Sequence, residues 1–366
     1  MTEGAVSGDV KQFAHRWATY CASGIDRALV GAGQRIAGRG GRRSTASELL
    51  QIESRFVRAD WIDSPAAFFE TPPDAVISGI RQKELPPYRG VREIHLSWPS
   101  SYQPLPGPGA ERYLSFTYNN TAHARWLRGG AKRPVMLAIH GYGGGQFRYE
   151  ARMFPSGRWL AQGLDVVMVS LPFHGPRRAP GDRLRFPSAL PEVTVEGFRQ
   201  AIWDLRTLVA WLMRQGVPWV GVAGMSLGGY SGALLATIEA ELAFVLSWIP
   251  LASIPDFHRE WSWAQGGEAA EELRARHASW ERILAVVSPL SRPPCLAAER
   301  LMVAVAEGDR VTPPHHGERL AAIQGAELVR VPGGHVWQFG RGTAWDAVEV
   351  RLQSLGLLPD PELAGA

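Results

Sequence analysis

The sequence predicts a mixed α/β fold in which helices cover both faces of a mostly parallel sheet. Short, continuously apolar runs recur through the last two thirds of the chain, and segments with helical spacing of apolar residues lie between them. Strands that are apolar on both faces and alternate with helices are typical of parallel sheets buried between two helical layers.

The individual elements follow from these runs and from the residues that bound them. We predict strands at Val91–Trp98, Arg112–Tyr118, Ala122–Leu127, Val135–Ile139, Asp165–Leu171, Val217–Ala223, Phe244–Ile249, Leu301–Ala306 and Glu327–Val331. We predict helices between the later strands at Thr194–Gln215, Leu227–Glu239, Thr312–Gln324 and Thr343–Leu355. In the third of these helices, Thr312 is the expected N-cap and Pro313 the expected first helical residue.

Residues 1–90 have a different pattern, which predicts a helical extension packed on a main domain of residues 91–366. Apolar residues at helical spacing predict one helix within Phe13–Ile36, and Ser47 is the expected N-cap of a second, ending near Val57. A Gly/Arg run, Gly38–Arg43, separates the two helices. This extension could also mediate formation of a homo-oligomer.

Composition excludes several classes of protein. Among 366 residues there are only 2 Cys, which is too few for a disulfide framework or a cysteine zinc site. The chain has 45% hydrophobic and 20% charged residues, and we find neither a membrane span nor a signal segment. Although the net charge is +4, basic residues are interleaved with acidic ones, so no nucleic-acid partner is expected. We therefore expect a cytoplasmic protein that is not integral to a membrane.

The strongest chemical signal is the segment Gly224–Gly229, with the sequence GMSLGG. An apolar strand precedes it and a helix of small residues follows it, so Ser226 is placed on a sharp strand-to-helix turn. A nucleophile on such a turn needs strained backbone angles and little bulk on either side, which Gly224 and Gly228 provide. The pattern predicts that Ser226 is a nucleophile.

A serine hydroxyl becomes a useful nucleophile only when a base removes its proton. His335 follows the last predicted strand, so we expect it at the same edge of the sheet as Ser226. The base needs an acid that orients it. Asp309, after the preceding predicted strand, is the preferred candidate for that acid, and Asp256 is the alternative.

An acyl-transfer site also needs N–H donors for the oxyanion. The N–H of Leu227, at the start of the helix after Ser226, is the expected first donor. The glycine-rich loop after Ile139 supplies the second donor, which we assign to Tyr142 with Gly143 as the alternative. Gly141 and Gly143 support this loop, and His140 is expected to fix its conformation rather than transfer protons.

Together these motifs resemble those of the alpha/beta-hydrolase-fold serine hydrolases over roughly residues 110–358. The order Ser226, Asp309, His335 is that of the family's triad. Further similar segments are His140–Gly143, Phe173–Gly175, Gly308–Pro314 and Gly333–His335. The resemblance implies a sheet of the eight-stranded type and a helical cap inserted at about residues 254–294.

The resemblance also implies a substrate pocket beneath the cap. Trp248, Trp261 and Trp263 could line it, or they could pack the cap onto the sheet. The arginines between Arg177 and Arg185 could contact an anionic substrate, or they could belong to a solvated loop.

The sequence thus predicts an EC 3.1.1-like serine esterase that acts on a small-molecule ester or acyl substrate through an acyl-enzyme. The mechanism requires no metal or organic cofactor. An amidase, peptidase, thioesterase or acyltransferase would use the same triad. A non-catalytic binding protein with the same fold is a further alternative.

Overall fold

The computed structural model describes residues 15–28, 30, 44–107, 109–263 and 270–358. In this part of the chain nine strands form one sheet. They are β1 Arg81–Tyr88, β2 Val91–Pro99, β3 Thr121–Arg128, β4 Val135–Ile139, β5 Asp165–Val169, β6 Val220–Met225, β7 Phe244–Trp248, β8 Leu301–Ala306 and β9 Glu327–Val331. Their order is β1-β2-β3-β5-β4-β6-β7-β8-β9.

The helices alternate with the later strands, as expected for an α/β fold. They are α1 (residues 15–28), α2 Ala46–Phe56, α3 Ala59–Asp63, α4 Asp74–Ile77, α5 Ala110–Leu114, α6 Phe147–Met153, α7 Ser156–Ala161, α8 Pro191–Arg214, α9 Leu227–Ala236, α10 Ile254–Trp263, α11 Ala270–Leu284, α12 Pro314–Gln324 and α13 Arg341–Ser354. Within the described ranges, no helix has the length and apolar character needed to cross a bilayer.

The predicted fold class is confirmed. Strands β5, β4, β6, β7, β8 and β9 pair in parallel, whereas β1, β2 and β3 form an antiparallel edge. The sheet has one strand more than the eight expected, and it starts at Arg81, before the predicted domain boundary near residue 90. Strand β1 was not predicted from the sequence because it contains Pro86 and Pro87, and proline is unusual within strands. Proline is tolerated there because β1 is an edge strand with a register shift between Leu85 and Tyr88.

The predicted strand Arg112–Tyr118 is wrong. Helix α5 and a 3₁₀ turn at Thr117–Asn120 occupy this segment. Tyr113 donates its hydroxyl to the Gln200 side-chain oxygen of α8 at 2.8 Å, and Asn119 donates to the same oxygen at 2.7 Å. These tertiary contacts override the β propensity of the aromatic residues in the segment.

Two predicted N-caps are also wrong. Helix α2 begins one residue before Ser47, and Thr45 caps it in a reciprocal pair of hydrogen bonds with Glu48. Helix α12 begins at Pro314, and the Thr312 hydroxyl bonds elsewhere. Phe13, predicted to belong to the first helix, and the run Gly38–Arg43, predicted to separate the two helices, lie outside the described residues.

The core lies on both faces of the sheet because side chains alternate along each buried strand. In β4, Val135, Leu137 and Ile139 face the layer that contains α8 and α9, whereas Met136 and Ala138 face the layer that contains α7 and α13. This arrangement holds the carboxyl ends of the parallel strands in fixed positions at one edge.

The cap contains α10 and α11 and is joined to the rest of the molecule by ion pairs. Arg282 of α11 pairs with Glu53 of α2 at 2.7 Å, so the cap is bound to the N-terminal extension. Asp256 of α10 pairs with Arg319 of α12 at 2.8 Å. The cap is therefore held from two sides.

A fully buried ion pair lies beneath the loop after β5. Arg177 Nη1 is 2.8 Å from Asp204 Oδ2 of α8, and the two side chains are 0% and 2% exposed. Arg177 also donates to the carbonyl oxygen of Asn119 at 2.8 Å. Burial raises the pKa of Asp204, and the neighbouring Arg177 opposes that effect.

We predict that Arg177→Met destabilises the fold strongly, because Asp204 is left buried without its cation. Breaking a buried pair in this way costs about 3–5 kcal/mol of the free energy of unfolding, which urea denaturation measures. Arg58→Met, which breaks the exposed Arg58–Asp60 pair, is the control and should change stability little. Equal effects of the two substitutions would contradict this role of Arg177.

Candidate active site

Ser226 occupies a strained turn between β6 and α9. Its φ is 55° and its ψ is −112°, a conformation that non-glycine residues rarely adopt. The Ser226 N–H donates to the Trp248 carbonyl oxygen at 2.9 Å, and its carbonyl oxygen accepts from the Leu251 N–H at 3.2 Å. Neighbouring strand ends therefore hold the turn in place.

The turn requires glycine at position 228. A Cβ atom built there would lie 2.0 Å from the carbonyl oxygen of Ile139, the last residue of β4. Because α9 approaches β4 this closely, the loop after β4 lies next to Ser226. A Cβ atom at Gly141 would lie 3.3 Å from the Cβ atom of Ser226.

Asp309 lies in the loop after β8, with its side chain only 1% exposed. Its Oδ1 accepts the N–H groups of Val311 and Thr312, each at 2.8 Å. Its Oδ2 lies 3.1 Å from the Thr312 hydroxyl, whose single proton is shared between this oxygen and the Ile249 carbonyl oxygen, also 3.1 Å away. These donors fix the carboxylate in one orientation.

His335 lies in the loop after β9, and its Nδ1 is 2.7 Å from Asp309 Oδ2. Because a carboxylate accepts, the imidazole carries a proton on Nδ1 and its Nε2 remains available. Burial alone would lower the pKa of His335. The charge of Asp309 and its hydrogen bond, together with the charge of Asp26, outweigh burial and raise that pKa above its usual value.

Gln338 connects the loop after β9 that carries His335, called the histidine loop below, to the Ser226 turn. Its amide nitrogen donates to the His335 carbonyl oxygen at 2.6 Å and lies 3.7 Å from the sulfur of Met225, next to Ser226. The structure thus joins Asp309 and His335 directly and connects their loops to the Ser226 turn. Among the contacts of the described residues, none is a hydrogen bond between the Ser226 hydroxyl and His335.

The backbone N–H groups expected to bind an oxyanion are unused. Neither Tyr142 nor Leu227 donates its N–H to another group in the described chain. Leu227 is the first residue of α9, where N–H groups have no intrahelical acceptor. The N–H of Gly143 is likewise free there, so the alternative donor stays open.

His140 supports this loop as a neutral side chain. Burial lowers its pKa to about 3. Its Nε2 accepts the Leu171 N–H at 3.0 Å, and its Nδ1 bonds the Gly141 carbonyl oxygen at 2.7 Å. Sequence reasoning missed Glu150, which accepts the Gly145 N–H at 3.0 Å from below the same loop and whose pKa burial raises to about 7.

The structure corrects the expectation that Trp248 lines a substrate pocket. Its side chain is 1% exposed and stacks on Trp345 of α13, with ring centroids 4.8 Å apart. Its indole N–H donates to Gln338 at 2.9 Å. Trp248 is therefore part of the core. The side chains of Trp261 and Trp263 lie outside the described residues.

The alternative acid, Asp256, lies in the cap. Its Oδ1 accepts from Arg259 at 2.8 Å and lies 2.9 Å from His277, and its Oδ2 accepts from Arg319. In the loop after β5, Arg177 is buried in its pair with Asp204, and Arg185 pairs with Asp182 at 2.8 Å.

Two clusters in the cap region bring together side chains that could hold a metal ion. One is formed by Glu260, His315 and His316, and the other by Asp256, His277 and Glu281. Their members already pair with one another, as in the contact of 2.9 Å between His315 and Glu260.

Comparison with known proteins extends this picture. A family described as alpha/beta hydrolase domain containing 18 matches residues 118–255. The uncharacterized proteins MT2702 and Rv2627c, from two strains of Mycobacterium tuberculosis, are each 30% identical over 313 residues, covering 82% of this chain and 73% of theirs. The chain belongs to the alpha/beta-hydrolase family.

Solved structures share the fold of this alpha/beta hydrolase at low sequence identity. An acetyl xylan esterase from Paenibacillus sp. R4 is similar with a TM-score of 0.55 and 14% identity, covering 85% of this chain and 99% of that one. Acetyl xylan esterase 1 from Thermoanaerobacterium sp. JW/SL YS485 has a TM-score of 0.54 and 17% identity, with the same coverage.

Sequence reasoning missed Asp26 of α1, whose carboxylate is buried against the histidine loop. Nothing in the sequence near Asp26 indicates this contact, because its partners lie about three hundred positions away. The loop after β8 that carries Asp309 is called the acid loop below. A cavity of about 450 Å³ adjoins the same region and is lined by residues of α1, the acid loop and the histidine loop, among them Thr19, Ser23 and Pro332.

We predict that the pKa of His335 lies above that of an ordinary histidine and falls in Asp309→Asn, because the variant loses the charge that stabilises the imidazolium. An NMR titration of the imidazole protons measures this. Asp256→Asn is the control and should leave the His335 titration unchanged. An unaltered His335 titration in Asp309→Asn would disprove the assignment of the charge effect to Asp309.

Proposed function

We propose that the protein is a serine hydrolase that cleaves a small carboxylic ester through an acyl-enzyme. Ser226 is the nucleophile, His335 the general base and acid, and Asp309 the residue that orients His335. The N–H groups of Leu227 and Tyr142 bind the oxyanion.

In the acylation step, Ser226 Oγ attacks the ester carbonyl carbon while its proton passes to His335 Nε2. The carbonyl π electrons move to oxygen, and the resulting oxyanion is bound by the two N–H groups. When the tetrahedral intermediate collapses, the bond to the alcohol oxygen breaks, and His335 returns the proton to that oxygen. Asp309 stabilises the imidazolium between these two transfers.

Deacylation repeats the sequence with water. His335 Nε2 removes a proton from water, whose oxygen attacks the acyl carbon. The second tetrahedral intermediate collapses as its bond to Ser226 Oγ breaks, and the proton returns to that oxygen. The acid is released and the free serine is restored.

The observation that carries this proposal is the contact of 2.7 Å between His335 Nδ1 and Asp309 Oδ2, in loops connected to the strained Ser226 turn. The contact fixes the tautomer that leaves Nε2 as a base. The free N–H groups of Leu227 and Tyr142 support the proposal further. Since catalytic hydrogen bonds often tighten only when substrate binds, we assign the Ser226–His335 contact to the reacting complex.

We predict that Ser226→Ala abolishes labelling by a fluorophosphonate probe and lowers kcat for p-nitrophenyl acetate by up to about 10⁶-fold. The acetyl group is a suitable first acyl chain because the acetyl xylan esterases share this fold. Ser231→Ala, which removes a buried hydroxyl one turn further along α9, is the matched control and should still be labelled. A native protein that neither reacts with the probe nor hydrolyses esters would favour a non-catalytic binding role.

We predict that Asp309→Asn lowers kcat by about 10⁴-fold, as expected when a triad histidine loses its orienting carboxylate. Asp256→Asn should retain most of the activity, because Asp256 pairs with cap residues and Arg319. Parallel measurements of kcat and KM with the same ester compare the two variants. The reverse order of effects would move the acid role to Asp256.

A further inference from the structure

Helix α1 of the N-terminal extension lies against both loops that carry the proposed acid and base. Ser23 donates its hydroxyl to the Gly308 carbonyl oxygen of the acid loop at 2.8 Å. The Gly333 N–H of the histidine loop donates to the Thr19 hydroxyl at 3.3 Å. One helix therefore contacts the two loops at positions next to Asp309 and His335.

Asp26 makes the most extensive of these contacts. Its Oδ2 accepts the N–H of His335 at 2.7 Å and the N–H of Arg310 at 3.1 Å. Its Oδ1 accepts the N–H of Val336 at 3.1 Å. The residue is 0% exposed, and three backbone N–H groups solvate its carboxylate in place of water.

The histidine loop packs closely on the Asp26 side chain. A Cβ atom at Gly334 would lie 2.6 Å from Asp26 Oδ2, so the histidine loop approaches the carboxylate with bare backbone. Since the donors come from both loops, the carboxylate fixes the acid loop and the histidine loop relative to each other.

Asp26 also acts on His335 through its charge. The charges that raise the pKa of the imidazole are those of Asp309, in the loop after β8, and Asp26, on α1. Further ionisable groups on the elements packed around the histidine loop are the exposed Glu307 and Arg310 and, on α1, His15 and Arg16. Asp26 differs from these four in being buried and bonded to the His335 backbone.

We propose that Asp26 is a positioning residue of the active site: it fixes the backbone of His335 against the Asp309 loop and adds a second negative charge beside the imidazole. This inference rests on the proposed hydrolase function. Because Asp26 lies on α1, the proposal also gives the N-terminal extension a role in catalysis. The proposed triad residues all lie outside that extension.

The test compares Asp26→Asn and Asp26→Ala with the native full-length protein. Asp26→Ala leaves three N–H groups without an acceptor, and we expect kcat for p-nitrophenyl acetate to fall about 10²-fold with KM little changed, the effect of a displaced catalytic group. Asp26→Asn preserves shape, removes the charge and replaces one accepting oxygen by an NH2 group that faces a backbone N–H. In this variant, the rise of kcat/KM with pH should occur at lower pH than in the native protein. The imidazolium loses a stabilising carboxylate, so the neutral base forms at a lower pH.

A merely structural role would give a different result. It would lower the fraction of protein labelled by fluorophosphonate and leave kcat per labelled site and the pH profile unchanged, which would overturn the proposal. Asp63→Asn, an exposed carboxylate on α3, is the control and should alter neither quantity. If Asp26→Ala does not fold, the pH profile of Asp26→Asn still tests the proposal.

The NMR titration of His335 separates this proposal from the proposed function. Should the native protein hydrolyse no ester, the imidazole of Asp26→Asn is still expected to titrate at lower pH than that of the native protein. An identical titration in the two proteins would overturn the role of Asp26, whatever the activity.

Discussion

The contact between Asp309 and His335 governs the arrangement of the whole candidate site. A buried carboxylate is costly unless donors surround it. Asp309 is surrounded by the N–H groups of Val311 and Thr312, the Thr312 hydroxyl and the imidazole. Thr312 precedes helix α12, which starts at Pro314 without a side-chain cap. The Thr312 side chain thus contacts Asp309 rather than the N-terminus of the helix.

The N-terminal extension connects parts of the molecule that the sheet alone does not join. Helix α1 binds the acid and histidine loops through Ser23 and Asp26. Helix α2 binds the cap through the pair between Glu53 and Arg282. An insert tied in this way is more constrained than a cap attached only at its own ends.

The placement of Ser226, Asp309 and His335 after strands could be predicted from the sequence because it depends on local patterns. Each of Ser226, Asp309 and His335 follows a strand of the parallel part of the sheet, and such strands bring their carboxyl ends to one edge. The failures involve distant partners. Trp248 was expected in a pocket, but its stacking on Trp345 of α13 makes it a core residue. Asp26 could not be found, because the hydrogen bond to the His335 N–H spans 309 positions of the chain.

The two carboxylates near His335 act on different parts of it, and this division has a chemical consequence. Asp309 accepts from the imidazole ring and so sets its orientation, whereas Asp26 accepts from the backbone and so sets the position from which the side chain extends. Burial opposes a charged ring, and both carboxylates favour it. During the proposed acyl transfer the proton rests on this ring between two steps. A second buried negative charge therefore stabilises that intermediate, while it delays formation of the neutral base as the pH rises.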